Sequence, residues 1–286
     1  MKSFDLKEYY TAINQLKLPL TILVVVLHAA KYVPQPATDN HLFPYNYFFS
    51  MMLGEVGVPT FFFISGFLFF RGMATFTVED YFSKLRNRVR SLLVPYLLWN
   101  LLLIVFYAIL QAIPAFSSYF TGANKSIADY VFEDYILAFW DKGEGILNNA
   151  TPVLQPFWYI RNLILLSILS PIIYLVAKNL TRFIVIPLLA GWWCLTPYLA
   201  FCEISVLFFL LGATSALRQW DFLHSEVRMQ FCVCATLCLM DYLAHVVVPI
   251  GGWLLMIHRA FLLSAVFFSF IFVTRVSAFL RRPMTW

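Results

Sequence analysis

A chain of 286 residues that is 61% hydrophobic and only 12% charged lacks the polar surface to cover a soluble fold of that size. Its mean hydropathy of +0.77 and repeated apolar runs of spanning length predict an all-α, polytopic transmembrane helical bundle. The net charge of +5 follows the loops rather than one patch, so nucleic acid is not an expected partner and membrane lipid is.

Residues 1–15 are a polar, mixed-charge lead-in. Apolar runs then occupy approximately 17–35, 46–70, 91–113, 156–177, 182–199, 202–217, 229–250 and 253–273, giving about eight spans in a single domain, 1–286. No small-residue cleavage site follows the first run, so it reads as a retained span and not a removable leader. That run is Lys17-Leu-Pro-Leu-Thr-Ile-Leu-Val-Val-Val-Leu-His28. At about 100° and 1.5 Å per residue, Lys17 and His28 fall on nearly the same helix face, roughly 16 Å apart. Two ionisable side chains along one stripe of a membrane helix are costly and call for a function.

Between the runs, Lys and Arg are unevenly placed. Arg71, Lys84, Arg86, Arg88 and Arg90 lie between the second and third runs. Lys178 and Arg182 lie between the fourth and fifth, Arg218 and Arg228 between the sixth and seventh, and Arg275, Arg281 and Arg282 towards the end. The alternate connections are poorer in cations, so both termini are expected in the cytoplasm. The longest connection, 114–155, is acidic and is expected to be an extracytoplasmic loop. Within it, 127–140 spaces its apolar residues as an amphipathic interfacial helix does. Five cysteines sit in or beside apolar runs, without the ligand spacing of a metal site, and read as packing residues.

The candidate functional residues are the ionisable ones inside spans. His28 lies past the middle of the first and Glu55 in the first half of the second. Arg161 follows Trp158 by three residues near the start of the fourth. Asp241 and His245 are one helical turn apart in the seventh, so that a carboxylate can orient an imidazole. His258 and Arg259 open the eighth. Given the predicted orientation, they share the outer half of the membrane and suggest a polar cavity open outward. Each also has a plainer reading, as a satisfied core histidine, an interfacial carboxylate, a snorkelling arginine or an interhelical hydrogen-bonding pair.

Four stretches, taken together and in order, resemble the acyltransferase 3 family of bacterial transmembrane O-acyltransferases. They are Lys17-x10-His28; Gly57-Val-Pro-Thr-Phe-Phe-Phe-Ile-Ser-Gly-Phe-Leu68; the basic run leading into Ser91-Leu-Leu-Val-Pro-Tyr-Leu-Leu-Trp99; and Phe157-Trp-Tyr-Ile-Arg-Asn162. The resemblance implies transfer of an acyl group, commonly acetyl, from cytoplasmic acyl-CoA to a sugar hydroxyl at or beyond the outer face. It maps the family's helix-one basic residue and histidine onto Lys17 and His28, and its Ser-Gly-Phe motif onto Ser65, Gly66 and Phe67. Its basic segment falls on Arg86, Arg88 and Arg90, and its aromatic-x-x-Arg stretch on Trp158 and Arg161. Members of the family usually have about ten spans, whereas this chain stops at Pro283-Met-Thr-Trp286, where a closing helix would begin. The expectation is therefore a shortened member, or one whose surface a homo-oligomer or partner completes.

The resulting expectation is an O-acetyltransferase in the inner or plasma membrane, with acetyl-CoA as acyl donor, a glycan as acceptor and no metal. His28 serves as general base or acyl carrier, because neutral imidazole accepts a hydroxyl proton near neutral pH and is itself a competent acyl acceptor. Lys17 is expected to take part in catalysis and to attract CoA, whose phosphates suit the guanidinium forks of Arg86, Arg88 and Arg90. Arg161 can donate to the developing oxyanion, and Glu55, Trp158, Arg161, Asp241, His245 and His258 are candidate acceptor-binding residues. The alternatives are a transporter or flippase for a polar or lipid-linked substrate, and a non-catalytic shortened family member.

Overall fold

The computed structural model describes residues 6–29, 43–73, 75–121, 125–140, 151–180, 183, 203–247 and 254–280. All regular structure among them is helical. In chain order the helices are α1 Leu6–Ala29, α2 Phe43–Phe70, α3 Val78–Ala112, α4 Pro114–Thr121, α5 Phe132–Trp140, α6 Trp158–Ile168, α7 Ser170–Leu175, α8 Glu203–Leu217, α9 Val227–Val246 and α10 Leu254–Leu280. Five of them (α1, α2, α3, α9 and α10) are long and apolar enough to cross a membrane, and the count among the described residues is six if the bent α6–α7 pair is one span. The fifth apolar run, 182–199, lies outside the described residues apart from 183, as do Lys31 and the final residues 281–286.

Two helices depart from the apolar runs in ways their residues explain. The third run begins at 91, yet α3 starts at Val78 and carries the basic segment as helix. Thr77 caps it: its hydroxyl accepts from the Asp80 backbone N–H at 3.1 Å, and Glu79 and Asp80 sit in the first turn. Both features favour a helix N-terminus. At 35 residues, α3 is roughly 52 Å long and exceeds a hydrocarbon core of about 30 Å, so its charged start projects beyond that core. The fourth run bends by 68° between Ile168 and Ser170. Pro171 has no N–H to donate and crowds the preceding turn, which ends one helix and starts the next.

The described residues form two compact units, one up to Gly72 and from Phe208 onward, the other from Met73 to Leu207. In the first unit the greater part of α8 is the buried centre, with Phe208, Phe209 and Ala213 all fully buried. At 15 residues it is roughly 22 Å long, and an apolar helix sealed on all sides belongs in a core. Around it Phe63, Phe222, Phe267 and Phe270 pack as an aromatic cluster with ring centroids 5.4–5.6 Å apart. Tyr9 joins this cluster, stacking on Phe67 at 5.3 Å, while its hydroxyl donates to the Trp220 carbonyl at 2.8 Å.

Gly66 and Gly212 set how closely α2 and α8 meet. A Cβ on Gly66 would lie 2.1 Å from the Phe209 carbonyl oxygen, and one on Gly212 would lie 2.0 Å from that of Phe63. The two backbones are in contact, as small residues allow in membrane helix pairs.

In the second unit the long connection folds back on α3. Ile127, Ala138 and Val153 are buried against Ile104. Helix α5 leaves Phe132, Tyr135, Ile136, Leu137 and Trp140 exposed, the apolar face of an interfacial helix. The Lys125 ammonium, hydrogen-bonded to Asp134, holds that exposed carboxyl below its usual range. Along α3 itself, Leu98, Trp99, Leu102 and Phe106 are exposed, as lipid-facing positions are.

Candidate functional site

The first unit brings four of the candidate residues into one hydrogen-bonded network. Glu55 comes from α2, Asp241 and His245 from α9, and His258 from α10. His258 lies between two carboxylates: its Nε2 is 2.9 Å from Glu55 Oε2, and its Nδ1 is 2.8 Å from Asp241 Oδ2. His245 Nδ1 donates to the Asp241 backbone carbonyl at 3.0 Å and lies 2.9 Å from Asp241 Oδ1. Tyr47 completes the set, its hydroxyl donating to Asp241 Oδ1 at 3.2 Å while its ring stacks on His245 at 4.7 Å.

Both Asp241 oxygens are thus occupied, and the residue is fully buried. A buried carboxylate persists only when its lone pairs are met by donors, and the Tyr47 hydroxyl and His258 Nδ1 meet them here. The imidazole of His258 therefore has a carboxylate at each nitrogen. The distances are those of hydrogen bonds. Among the described residues no group of His, Cys, Asp or Glu is arranged to hold a metal ion.

Local backbone geometry aims these side chains. Tyr47 opens a π-helical stretch, Tyr47–Leu53, followed by a 3-10 turn, Gly54–Val56, that carries Glu55. Another π stretch, Leu243–Val247, holds His245. Such departures from the α-helix re-aim side chains and are frequent at functional sites. Pro59 contributes, because without an N–H it leaves the Glu55 carbonyl without its usual helical partner.

His28 reaches the neighbourhood through the same segment. A Cβ on Gly54 would lie 2.9 Å from Leu27 Cβ, and one on Gly57 would lie 2.8 Å from Val24 Cγ2. The last turns of α1 therefore rest on the turn that carries Glu55, and half-buried His28 is one residue beyond the Leu27 contact. Lys17 lies near the middle of α1, exposed, with its ammonium donating to Asn14 Oδ1 at 2.9 Å. It stands beside the buried stripe of Tyr9, Ala12, Ile13, Leu16 and Leu20.

The remaining candidates belong to the second unit and are described within it. Arg161 is buried and donates through Nη1 to the Trp140 carbonyl, and through Nε and Nη2 to Asn162 Oδ1 at 3.3 and 3.2 Å. Its guanidinium also lies over the Trp140 ring, 5.1 Å from the centroid. Asn162 in turn donates to Ser205 at 3.2 Å. Arg161 therefore fastens the end of α5 to α6. Its loss leaves the partly buried Trp140 carbonyl and the Asn162 side chain without this donor and frees the loop helix. Arg161→Ala is expected to cost about 3 kcal/mol and to expose helix α5, Phe132–Trp140, to limited proteolysis, with Arg161→Lys recovering little because a point donor cannot reproduce the fork. Unchanged protease resistance in both variants would remove this role.

Trp158 is half-buried at the start of α6. Arg86 and Arg90 are exposed one turn apart, whereas Arg88 is half-buried and faces Tyr159, so the three arginines do not share one helix face.

Sequence reasoning did not find Tyr47. Nothing in Phe43-Pro-Tyr-Asn-Tyr-Phe-Phe49 sets it apart from its aromatic neighbours, and only the partner contributed by α9 does so.

Long apolar helices surrounding a buried histidine–carboxylate network define an integral membrane protein with a polar site inside its helical unit. Residues 10–285 match the protein family described as "Acyltransferase domain", and the chain belongs to that family. It is 30% identical over 202 residues to the succinoglycan biosynthesis protein ExoH of Rhizobium meliloti (strain 1021), an alignment covering 68% of this chain and 50% of the relative. The chain therefore spans about half the length of that curated relative. No solved structure matches it.

Proposed function

We propose that this protein is a membrane-embedded O-acyltransferase. It moves an acyl group, acetyl in the simplest case, from cytoplasmic acyl-CoA to a hydroxyl of a cell-surface or lipid-linked glycan. Family membership supports the reaction class, and the similarity to a succinoglycan biosynthesis protein supports a polysaccharide acceptor. The observation that carries the reading is the packing of His28's helix turn on the Gly54–Glu55 turn, beside the buried His258–Asp241–His245 set. A base able to take a hydroxyl proton and polar groups able to hold a sugar thus come from four helices of one unit.

In this reading both termini are cytoplasmic, in the plasma or inner membrane. Lys17 lies on the CoA side of His28, and exposed Arg86 and Arg90, with Arg88, attract the CoA phosphates at the cytoplasmic start of α3. Glu55, His245 and His258 face the acceptor. The imidazole of His28 takes the hydroxyl proton as the oxygen attacks the thioester carbonyl, and the C–S bond then breaks to release CoA thiol.

The test uses membranes carrying the full chain and labelled acetyl-CoA, with label followed into the glycan fraction. Wild-type protein is expected to transfer label, and His28→Ala to lose roughly 10²- to 10⁴-fold of that rate while inserting normally. Wild-type transfer by His28→Ala would sink the assignment of the base. Transport of an unacylated glycan without label incorporation would favour a flippase instead.

A further inference from the structure

Where α1 begins and α10 ends, within the first unit, a cavity of about 290 Å³ lies between the two helices. Lys7, Glu8, Thr11 and Gln15 line it from α1, and Thr274 and Ser277 from α10. The Ser277 hydroxyl donates to Gln15 Oε1 at 2.6 Å, so Gln15 presents its amide N–H groups as donors. The Thr11 and Thr274 hydroxyls donate to the carbonyls of Lys7 and Phe270, at 3.0 and 2.8 Å, and keep lone pairs as acceptors. Among the described lining residues there is one ammonium, on Lys7, and one carboxylate, on Glu8. Glu8 also meets His224, whose Nε2 is 3.4 Å from Glu8 Oε2. Small-molecule sites start at about 300 Å³, so the cavity suits a head group and cannot take an acyl-CoA whole.

The same face of α1 continues as an apolar strip. At about 100° per residue, Lys7, Thr11, Gln15, Leu18, Ile22 and Val25 fall within about 80° of one another. Leu18, Ile22 and Val25 are exposed, and from Gln15 to Val25 the strip is roughly 15 Å long. Lys17 and His28 lie roughly 100–120° round the helix from its centre, so this face is separate from the one assigned to acyl transfer. A polar cavity at a helix end, continued by an exposed apolar strip, has the division of a phospholipid. A soluble metabolite has no use for the strip.

We propose that the cavity binds the head group of an ethanolamine phospholipid, with an acyl chain lying along Leu18, Ile22 and Val25. The lipid belongs to the leaflet on the side where α1 begins. Lys7 and the Gln15 amide meet the phosphate and its ester oxygens. Glu8 and the Thr11 and Thr274 hydroxyls accept from the N–H donors of the ammonium. Paired opposite charges select a zwitterion. An anionic glycerol head group meets the Glu8 carboxylate with no cation to offer it. A choline head group carries its charge among methyl groups and has no N–H to donate. The bound lipid ties the start of α1 to the end of α10, and this role is independent of the acyl-transfer reaction.

The experiment titrates the delipidated full chain in detergent with phosphatidylethanolamine, phosphatidylglycerol and phosphatidylcholine of identical acyl chains. Bound lipid is counted by native mass spectrometry, and the midpoint of thermal denaturation is followed in parallel. The expected result is one phosphatidylethanolamine per chain, held about tenfold more tightly than either other lipid. The midpoint should rise with its concentration, as it does for a ligand of the folded state. Glu8→Gln and Lys7→Gln are each expected to weaken its retention about tenfold, the worth of one charged hydrogen bond. Should Glu8→Gln fail to fold once its His224 contact is lost, Lys7→Gln, at an exposed position, carries the test. Glycerophosphoethanolamine, the same head group without chains, is expected not to be retained. Its retention on a par with the lipid would overturn the lipid as occupant. Equal retention of the three lipids, or unchanged retention by either variant that folds, would overturn the head-group site.

Discussion

Gly66→Ala is expected to deplete folded protein sharply, although it adds only one methyl group. The added Cβ would sit 2.1 Å from the carbonyl oxygen of Phe209 and 3.1 Å from the backbone nitrogen of Ala213. Neither is the movable end of a side chain. To accept the methyl, α2 and α8 must separate by more than an ångström along a contact where Phe62, Phe63, Phe67, Phe208 and Phe209 are almost wholly buried. Overpacking a core costs about 1–3 kcal/mol and more where backbone must move, and this site belongs at the upper end. The reciprocal change, Gly212→Ala, meets the Phe63 carbonyl at 2.0 Å and should behave alike. The double variant should cost less than the sum, because one separation of the helices serves both methyls. The measurement is the yield of monodisperse protein in detergent and its midpoint of thermal denaturation. A Gly66→Ala protein with wild-type yield and midpoint would mean that the helices do not meet this way.

That expectation also shows what could be read from residues alone. The Ser65-Gly66-Phe67 stretch was recognisable as a motif, but the sequence does not disclose what its glycine does. Its partner Gly212 lies 146 positions away in an unremarked apolar run, and only the fold brings the two backbones together. Helix identity was legible because apolar runs of spanning length have few alternatives in a membrane. The long connection's amphipathic helix was legible from its spacing, and α5 occupies its second half. The bend at Ser170-Pro171 and the start of α3 at Thr77 are local events, and the cap and proline that cause them were present in the sequence without being used.

The candidate site divides in a similar way. Asp241 and His245 could be paired from the i, i+4 rule, and the structure shows that contact. His258 and Glu55 were singled out only because ionisable groups are costly in a span. Their meeting, 203 positions apart, is a tertiary fact. Tyr47 was invisible because an aromatic residue in an aromatic string carries no signal. Arg161 was visible for the same reason as Glu55, its charge within a span, but the sequence gives no hint of the Trp140 carbonyl that holds it.

Asp241→Ala is the second large expected effect, and its size follows from what the carboxylate leaves behind. Two donors converge on a group with no solvent exposure: the Tyr47 hydroxyl and Nδ1 of His258. Removing it leaves those donors without their acceptor. It also leaves His258 answering only to the more exposed Glu55. Breaking a buried charged pair by deleting one partner costs about 3–5 kcal/mol, whereas Asp241→Asn keeps one acceptor oxygen and should cost about 1–3 kcal/mol. His258→Ala is expected to match Asp241→Ala, since it strands the fully buried carboxylate instead. Because the two single changes damage one interaction, the Asp241→Ala/His258→Ala double variant should fall short of the sum by about 0.5–3 kcal/mol. Thermal denaturation in detergent of the four proteins supplies the cycle, scanned at one rate because membrane proteins of this size unfold irreversibly. Strict additivity would mean that Asp241 and His258 do not touch in the folded protein. A smaller-than-additive loss, with Asp241→Asn intermediate, would instead confirm that the buried carboxylate holds α2, α9 and α10 together through Tyr47 and His258.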